Sequence, residues 1–164
     1  KNYYHVFDGF PRRIGQGEQW QSYPQHRIHC VIHVNVPDEI CRQKIMGRRS
    51  CAICGCSYNV AHVEQDGFYM PQLSLSCDCS VPPSPLSSPQ IRPDDVDPVI
   101  VKKRLQLYHD ETEPLLKYYA KEQQDTVKIL EFVPYRGIEN MPQLLSMVND
   151  AIEDDQRNDY RSRL

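Results

Sequence analysis

An α/β fold, a parallel sheet with helices on both faces, is predicted by three features. Strand-like and helix-like segments alternate, Pro, Gly and Asp separate them, and one cysteine-bearing insert between residues 50 and 93 interrupts the alternation. Tyr3 to Phe7 is an apolar and aromatic run that ends at Asp8-Gly9, which reads as a buried strand followed by a ligand-facing loop, after which Pro11 allows a helix to begin. Ile28, Cys30, Ile32, Val34 and Val36 alternate with His29, His33 and Asn35 until Pro37 closes the clearest strand of the chain. Asp38 suits the start of a helix that runs through Lys44, with Ile40, Ile45 and Met46 as its buried face.

After the insert, Asp94, Asp95 and Asp97 precede a helix that starts near Pro98 and carries Val99, Val101, Leu105 and Tyr108. Pro114 is expected to kink or interrupt it before Leu115, Leu116 and Tyr119 continue the apolar face. Val127 to Val133 reads as a third strand and Pro142 to Ile152 as a last helix, with Asn140 near its start. The resulting division is a core of residues 1–49, an insert of 50–93, a core helix-strand-helix of 94–153 and a charged tail of 154–164 expected to fray.

With 164 residues the chain is long enough to bury a core. Its net charge of -3 and the lack of a long basic run argue against nucleic acid or an anionic membrane as partner, and leave a small anionic ligand open through local arginines. No apolar run approaches the roughly 18 residues of a membrane span. Five of the seven cysteines fall between Cys51 and Cys79, a clustering that favours a metal site or its remnant over a disulfide framework. Reduced clustered cysteines suit the cytoplasm or the mitochondrial matrix. The chain starts at Lys1, without methionine or a secretory pattern, so a trimmed or partly represented polypeptide is expected.

Three motifs occur in order: Asp8-Gly9-Phe10-Pro11-Arg12 at the end of an apolar run, then Gly47-Arg48-Arg49, then Cys51-x-x-Cys54. Together they resemble the adenylate kinases in the long-lid form that often carries a zinc-binding lid, over a stretch from about Tyr3 to about Ile152. The resemblance implies the three-layer parallel-sheet nucleoside monophosphate kinase fold, with residues 50–93 as the lid. It is incomplete here: the phosphate loop G-x-x-x-x-G-K-S/T is not found, nor the central strand that feeds it. That strand belongs between the Asp8 run and the strand of Ile28 to Val36. Unpaired buried backbone groups cost about 1–3 kcal/mol each. A missing N-terminal segment or another protein chain is therefore expected in the slot, unless the sheet closes up.

The resemblance also implies roles. Gly9, Arg12 and Gln16 would bind AMP, Arg12 gripping its phosphate and Gln16 reading its base; a spacing of four puts Arg12 and Gln16 on one helix face. Asp8 would organise Mg2+, through water, as suits a hard ion that keeps its hydration shell. Arg48 would contact phosphates from the lid hinge, and Arg92 and Arg104 would close over them, on AMP as well, while Asp94 and Asp95 would stabilise the closed lid. Lys44, Arg48 and Val133 would lie on the ATP side. Phosphoryl transfer needs positioning and charge neutralisation more than covalent help, which is why arginines carry it. Without the phosphate loop these residues alone are not expected to be a competent kinase.

Other roles remain open at several of these positions. Asp94 and Asp95 are also ordinary helix-start residues, and His29 and His33 read as strand-face or packing side chains. A structural Zn2+ would take Cys51, Cys54, Cys77 and Cys79, the second pair being one residue short of Cys-x-x-Cys, with Cys56 and His62 as substitutes; a metal-free lid is the alternative. The chain departs from the family at Lys44, where an arginine usually stacks on the ATP base, at Glu131-Phe132-Val133-Pro134-Tyr135, where an aspartate-glycine turn is usual, and at Arg13, where threonine is usual. Three functions are compatible with this: part of an adenylate kinase converting ATP and AMP to ADP, a pseudoenzyme acting as a structural subunit, or a nucleotide binder without turnover.

Overall fold

The computed structural model describes residues 5–23, 28–74, 89–122 and 127–162. They form two compact units. The first comprises residues 1–33, 106–132 and 144–164, the second 34–105 and 133–143.

In the first unit, helix α1 (Ile14–Gln21) follows the Asp8 loop, and strand β1 (Cys30–Val34) pairs with strand β6 (Lys128–Phe132). The amide of Lys128 donates to the carbonyl of His29 at the start of both strands (3.3 Å), and His33 meets Glu131 near their other ends. The two strands therefore run in the same direction. On one side Val31 and Ile129 pack with Ile14 and with Leu115, Tyr118 and Tyr119 of helix α5 (Glu113–Glu122). Leu130 and Phe132, on the opposite pleat of β6, are also buried. Burial on both faces is the signature of a parallel sheet, and the fold is α/β as the alternation predicts.

Three expectations need correction in this unit. His5 to Phe7 is not a strand: it is irregular, Val6 is 88% exposed, and no strand pairs with it among the described residues; Tyr3 and Tyr4 lie outside them. A strand exists only through its ladder, so an apolar run without a partner has no reason to be extended and buried. In β1, Ile32 and Val34 are exposed, and among the described residues no strand lines its second edge. The final helix α6 (Met141–Ser162) also continues past Glu153, where the tail was expected to fray. Ion pairs Glu153–Arg157 at 3.0 Å and Lys128–Asp154 at 2.9 Å account for that, tying the charged turn to itself and to β6.

Pro114 has the expected effect in a specific form. Tyr108–Thr112 forms a π-helical turn directly before α5, so the residue lacking an N–H falls in the first turn of a new helix and leaves no α-helical bond broken.

The second unit contains helix α2 (Asp38–Met46), an antiparallel pair β2 (Arg48–Ser50) and β3 (Ser57–Asn59), a hairpin β4 (Val63–Gln65) and β5 (Phe68–Met70), a single turn α3 (Pro93–Val96) and most of helix α4 (Pro98–Leu107). Its core is Ile40, Val63, Phe68 and Met70, with Val36 and Val133 packed against them. Asp66 and Gly67, both at positive φ, make the hairpin turn of β4 and β5. Much of the insert is thus short β-structure. The stretch from Cys77 to Ser88, with Cys77, Cys79 and the Pro/Ser-rich segment, lies outside the described residues.

Asp38 and Glu39 occupy the first turn of α2, whose N-cap is Pro37 and not Asp38. Glu39 accepts hydrogen bonds from Arg42 and Gln43, which hold its carboxyl down at about 2. A carboxylate depressed in the folded state adds stability above its unfolded value near 4.5, and that contribution disappears as pH falls towards 2. Thermal melts at pH 5.5 and 2.5 are expected to show a smaller loss of Tm for Glu39→Gln than for wild type.

Candidate functional site

Two clusters, one in each unit, carry the residues singled out above. In the first unit Gly9 sits at φ +70°, and a side chain there would strike the Arg12 guanidinium at 2.5 Å. The positive φ is what favours glycine here, since the arginine end is a flexible side chain that can move aside. Arg12 donates its Nε–H to the Gly9 carbonyl at 2.8 Å, which turns the guanidinium back over the loop. Phe7, Phe10 and Trp20 form an aromatic cluster beside the loop, with Trp20 5.0 Å from Phe7 and 5.5 Å from Phe10. Asp8 is exposed and makes no ion pair among the described residues.

Gln16 has a task that its spacing did not reveal. Its Oε1 accepts from the backbone N–H of Arg12 at 2.9 Å and of Arg13 at 3.2 Å, closing the start of α1. Arg13 is the N-cap, and its own side chain turns to Glu111 at 2.8 Å, an ion pair that raises its already high pKa.

In the second unit Asp95 is the pivot. Its side chain is fully buried, its Oδ1 accepts from Arg104 Nη1 at 2.8 Å, and Arg48 Nη1 lies 3.7 Å from Oδ2. Oδ2 itself has no hydrogen-bond partner among the described residues. Arg48 and Arg104 keep 36% and 42% of their side chains exposed, so each leans on the buried carboxylate and offers its remaining N–H groups to solvent. One negative charge for two positive ones leaves the three side chains with a net positive charge. Arg92 is the exposed N-cap of α3, and its carbonyl accepts from the Asp95 amide at 2.9 Å. Asp94 is exposed, so the two adjacent aspartates have different roles.

Lys44 and Val133 are placed in packing and bonding roles. The Lys44 ammonium donates to the carbonyls of Ala61 (2.8 Å), Met70 (3.0 Å) and Pro71 (3.2 Å), and burial lowers its pKa. All three donors of the ammonium are used to tie α2 to the insert. Val133 packs on the Ile40 core, and its carbonyl accepts from Tyr135 N–H at 3.0 Å.

Cys51 and Cys54 lie on one turn, with Cys51 N–H bonded to Cys56 O and Gly55 N–H to Cys51 O. No group of three or more metal-ligating side chains occurs among the described residues.

Sequence reasoning also missed a relay in the first unit. His33 Nδ1–H donates to Glu131 at 2.8 Å, and Nε2 accepts from the Tyr108 hydroxyl at 2.6 Å. The carboxylate sets the tautomer, and the packing reading of His33 agrees with this placement. The available signal was the charge alternation of the two strands, which cannot by itself say that they are neighbours.

The parallel pair β1–β6 with helices packed on it is the core of an α/β protein of the nucleoside monophosphate kinase fold. The adenylate kinase family model matches residues 1–124, and the chain belongs to the adenylate kinase family. It is 38% identical over 152 residues to a probable adenylate kinase 6, chloroplastic, of Oryza sativa subsp. japonica, covering 88% of this chain and 48% of the relative. To adenylate kinase 1, chloroplastic, of Arabidopsis thaliana it is 35% identical, over 85% of this chain and 47% of the relative. To the adenylate kinase of Paramagnetospirillum magneticum it is 38% identical, over 71% and 50%. The chain thus spans about half the length of these curated relatives. No helix among the described residues is long and apolar enough to cross a membrane.

Proposed function

We propose that this chain supplies the AMP-side loop and the arginine cluster of an adenylate kinase, the enzyme that converts ATP and AMP to two ADP. The observation that carries the reading is the buried Asp95 holding Arg48 and Arg104, both still half-exposed. A scaffold has no physical need to fix two guanidiniums on one carboxylate while leaving their outer faces to solvent. Such preorganised donors stabilise charge as it spreads over the transferred phosphoryl oxygens, because they need no reorganisation at the moment of transfer.

Under this reading Arg12 grips the AMP phosphate, Gln16 and Gly9 complete that loop, and Arg92 closes from the turn that carries Asp95. The exposed Asp8 would hold Mg2+ bound with the nucleotide, and the ion would supply charge neutralisation of the polyphosphate. Lys44 and Val133 belong to the ATP side, where they shape the wall that α2 and the insert share. The phosphate loop comes from a segment beyond these residues or from another chain that fills the open edge of β1. A structural Zn2+ on Cys51, Cys54, Cys77 and Cys79 would hold the insert as a lid.

The test is ADP formation from ATP and AMP by the full-length protein. Arg48→Ala is expected to lower kcat at least about 100-fold, in line with loss of one preorganised charge-stabilising donor, with the fold retained by circular dichroism, and Arg104→Ala is expected to combine a similar loss with a lower Tm because it uncovers Asp95. A full-length protein that binds AMP but never turns over would make it a nucleotide binder, and one that binds neither nucleotide would make it a structural subunit.

A further inference from the structure

Gln16 can offer the base of a nucleoside monophosphate a donor and nothing else. A carboxamide oxygen has two lone pairs, and both are occupied by the N–H groups of Arg12 and Arg13. The orientation of the amide is not free either. Turning it over would set the NH2 group against two backbone donors, so the nitrogen must face away from the helix start. Gln16 is the N3 residue of α1 and reaches back to the N–H of the N-cap Arg13 and of the residue before it, while the Arg13 guanidinium is committed to Glu111. Gln16 takes over part of the capping, and only its Nε2 remains for a ligand.

This matters for the chemistry of position 6 of a purine. Adenine presents an amino donor there and an acceptor at N1, so a free carboxamide reads both and selects adenine. Hypoxanthine presents an acceptor oxygen at position 6. A group that only donates pairs equally with adenine N1 or with that oxygen.

We propose that the monophosphate site of this chain accepts 6-oxopurine as well as 6-aminopurine nucleotides, because Gln16 is held as a donor-only reader by the helix it caps. The inference rests on the proposed AMP-side role of Gly9, Arg12 and Gln16. To select adenine, Gln16 would have to release both backbone N–H groups, and the affinity gained would be offset by the loss of the cap.

The test uses the full-length protein titrated with AMP and with IMP, read by the fluorescence of Trp20, the single tryptophan, and by calorimetry. The two dissociation constants are expected to agree within about threefold. Gln16→Glu keeps an oxygen for both backbone donors and removes Nε2, so it is expected to weaken AMP and IMP by a similar factor of about ten or more while Tm stays within a degree or two of wild type. AMP bound 30-fold or more tightly than IMP would overturn the inference and leave the AMP-side role intact. Binding of neither nucleotide, with a folded protein, would overturn both. A Gln16→Glu variant that binds AMP as wild type does would also overturn it, since Nε2 would then touch no base.

Discussion

Arg104→Met is expected to destabilise the protein by about 3–5 kcal/mol, because it leaves the carboxylate of Asp95 buried without its one direct hydrogen bond. Asp95 has no exposed surface, its second oxygen is already without a hydrogen-bond partner, and Arg48 stands 3.7 Å away. The same reasoning ranks the neighbouring changes. Arg48→Met removes only the longer contact and is expected to cost about 1 kcal/mol, within the range of partly exposed ion pairs. Asp95→Leu in the Arg104→Met background is expected to recover much of the loss, since an apolar side chain of similar size needs no partner there. Urea unfolding of the four proteins, with slopes compared, measures this directly. A cost for Arg104→Met below about 1 kcal/mol, or a double variant no better than the single one, would show that solvent reaches Asp95.

The second large effect lies at Tyr119, which is 1% exposed and packs with Leu115 and Val127. Tyr119→Ala is expected to cost about 3–5 kcal/mol through lost burial and the cavity left behind. Tyr119→Phe is expected to be neutral or stabilising. The hydroxyl is buried with no hydrogen-bond partner among the described residues, and burial pushes its pKa up to about 12. Removing an unsatisfied group relieves a desolvation cost of about 1–3 kcal/mol. The hydroxyl also limits Gly17 on α1: a Cβ there would stand 2.7 Å from Tyr119 Oη and 3.1 Å from Leu115 Cδ1. Gly17→Ala is thus expected to cost about 1–3 kcal/mol by overpacking. In the Tyr119→Phe background that cost should shrink, and a double-mutant cycle reads the difference. Additive effects would mean that α1 and α5 are spaced by other contacts.

The legibility of this chain follows the range of the forces involved. Strands β1 and β6 and helices α2, α4 and α5 lie close to where periodicity and prolines put them, because Pro98 and Pro114 in first turns and alternation in β1 act within a few residues. The strand expected before Asp8 is irregular among the described residues, since a ladder needs a neighbour that no local signal supplies. In the arginine cluster, Arg48 and Arg104 follow from the family resemblance and Asp94 and Asp95 follow as a pair, but which of the two acids is the pivot does not. Asp94 and Asp95 are identical in sequence terms as helix-start acids, and only packing buries one and exposes the other. Lys44 reads as an ATP-side residue on α2, yet three carbonyls of the insert close on its ammonium.

The α/β alternation, the family and the residue types of the candidate site are legible in the sequence, because motifs and helix signals are written in short stretches of neighbouring residues. The tertiary structure decided what each charged or polar group has left to give. Asp95 is spent between two arginines, the oxygen of Gln16 on the head of its own helix, and the Lys44 ammonium on the insert. Hydrogen-bonding capacity is finite and is assigned by partners that folding brings close, so the same residue can be a ligand, a cap or a clasp according to the partners it already holds.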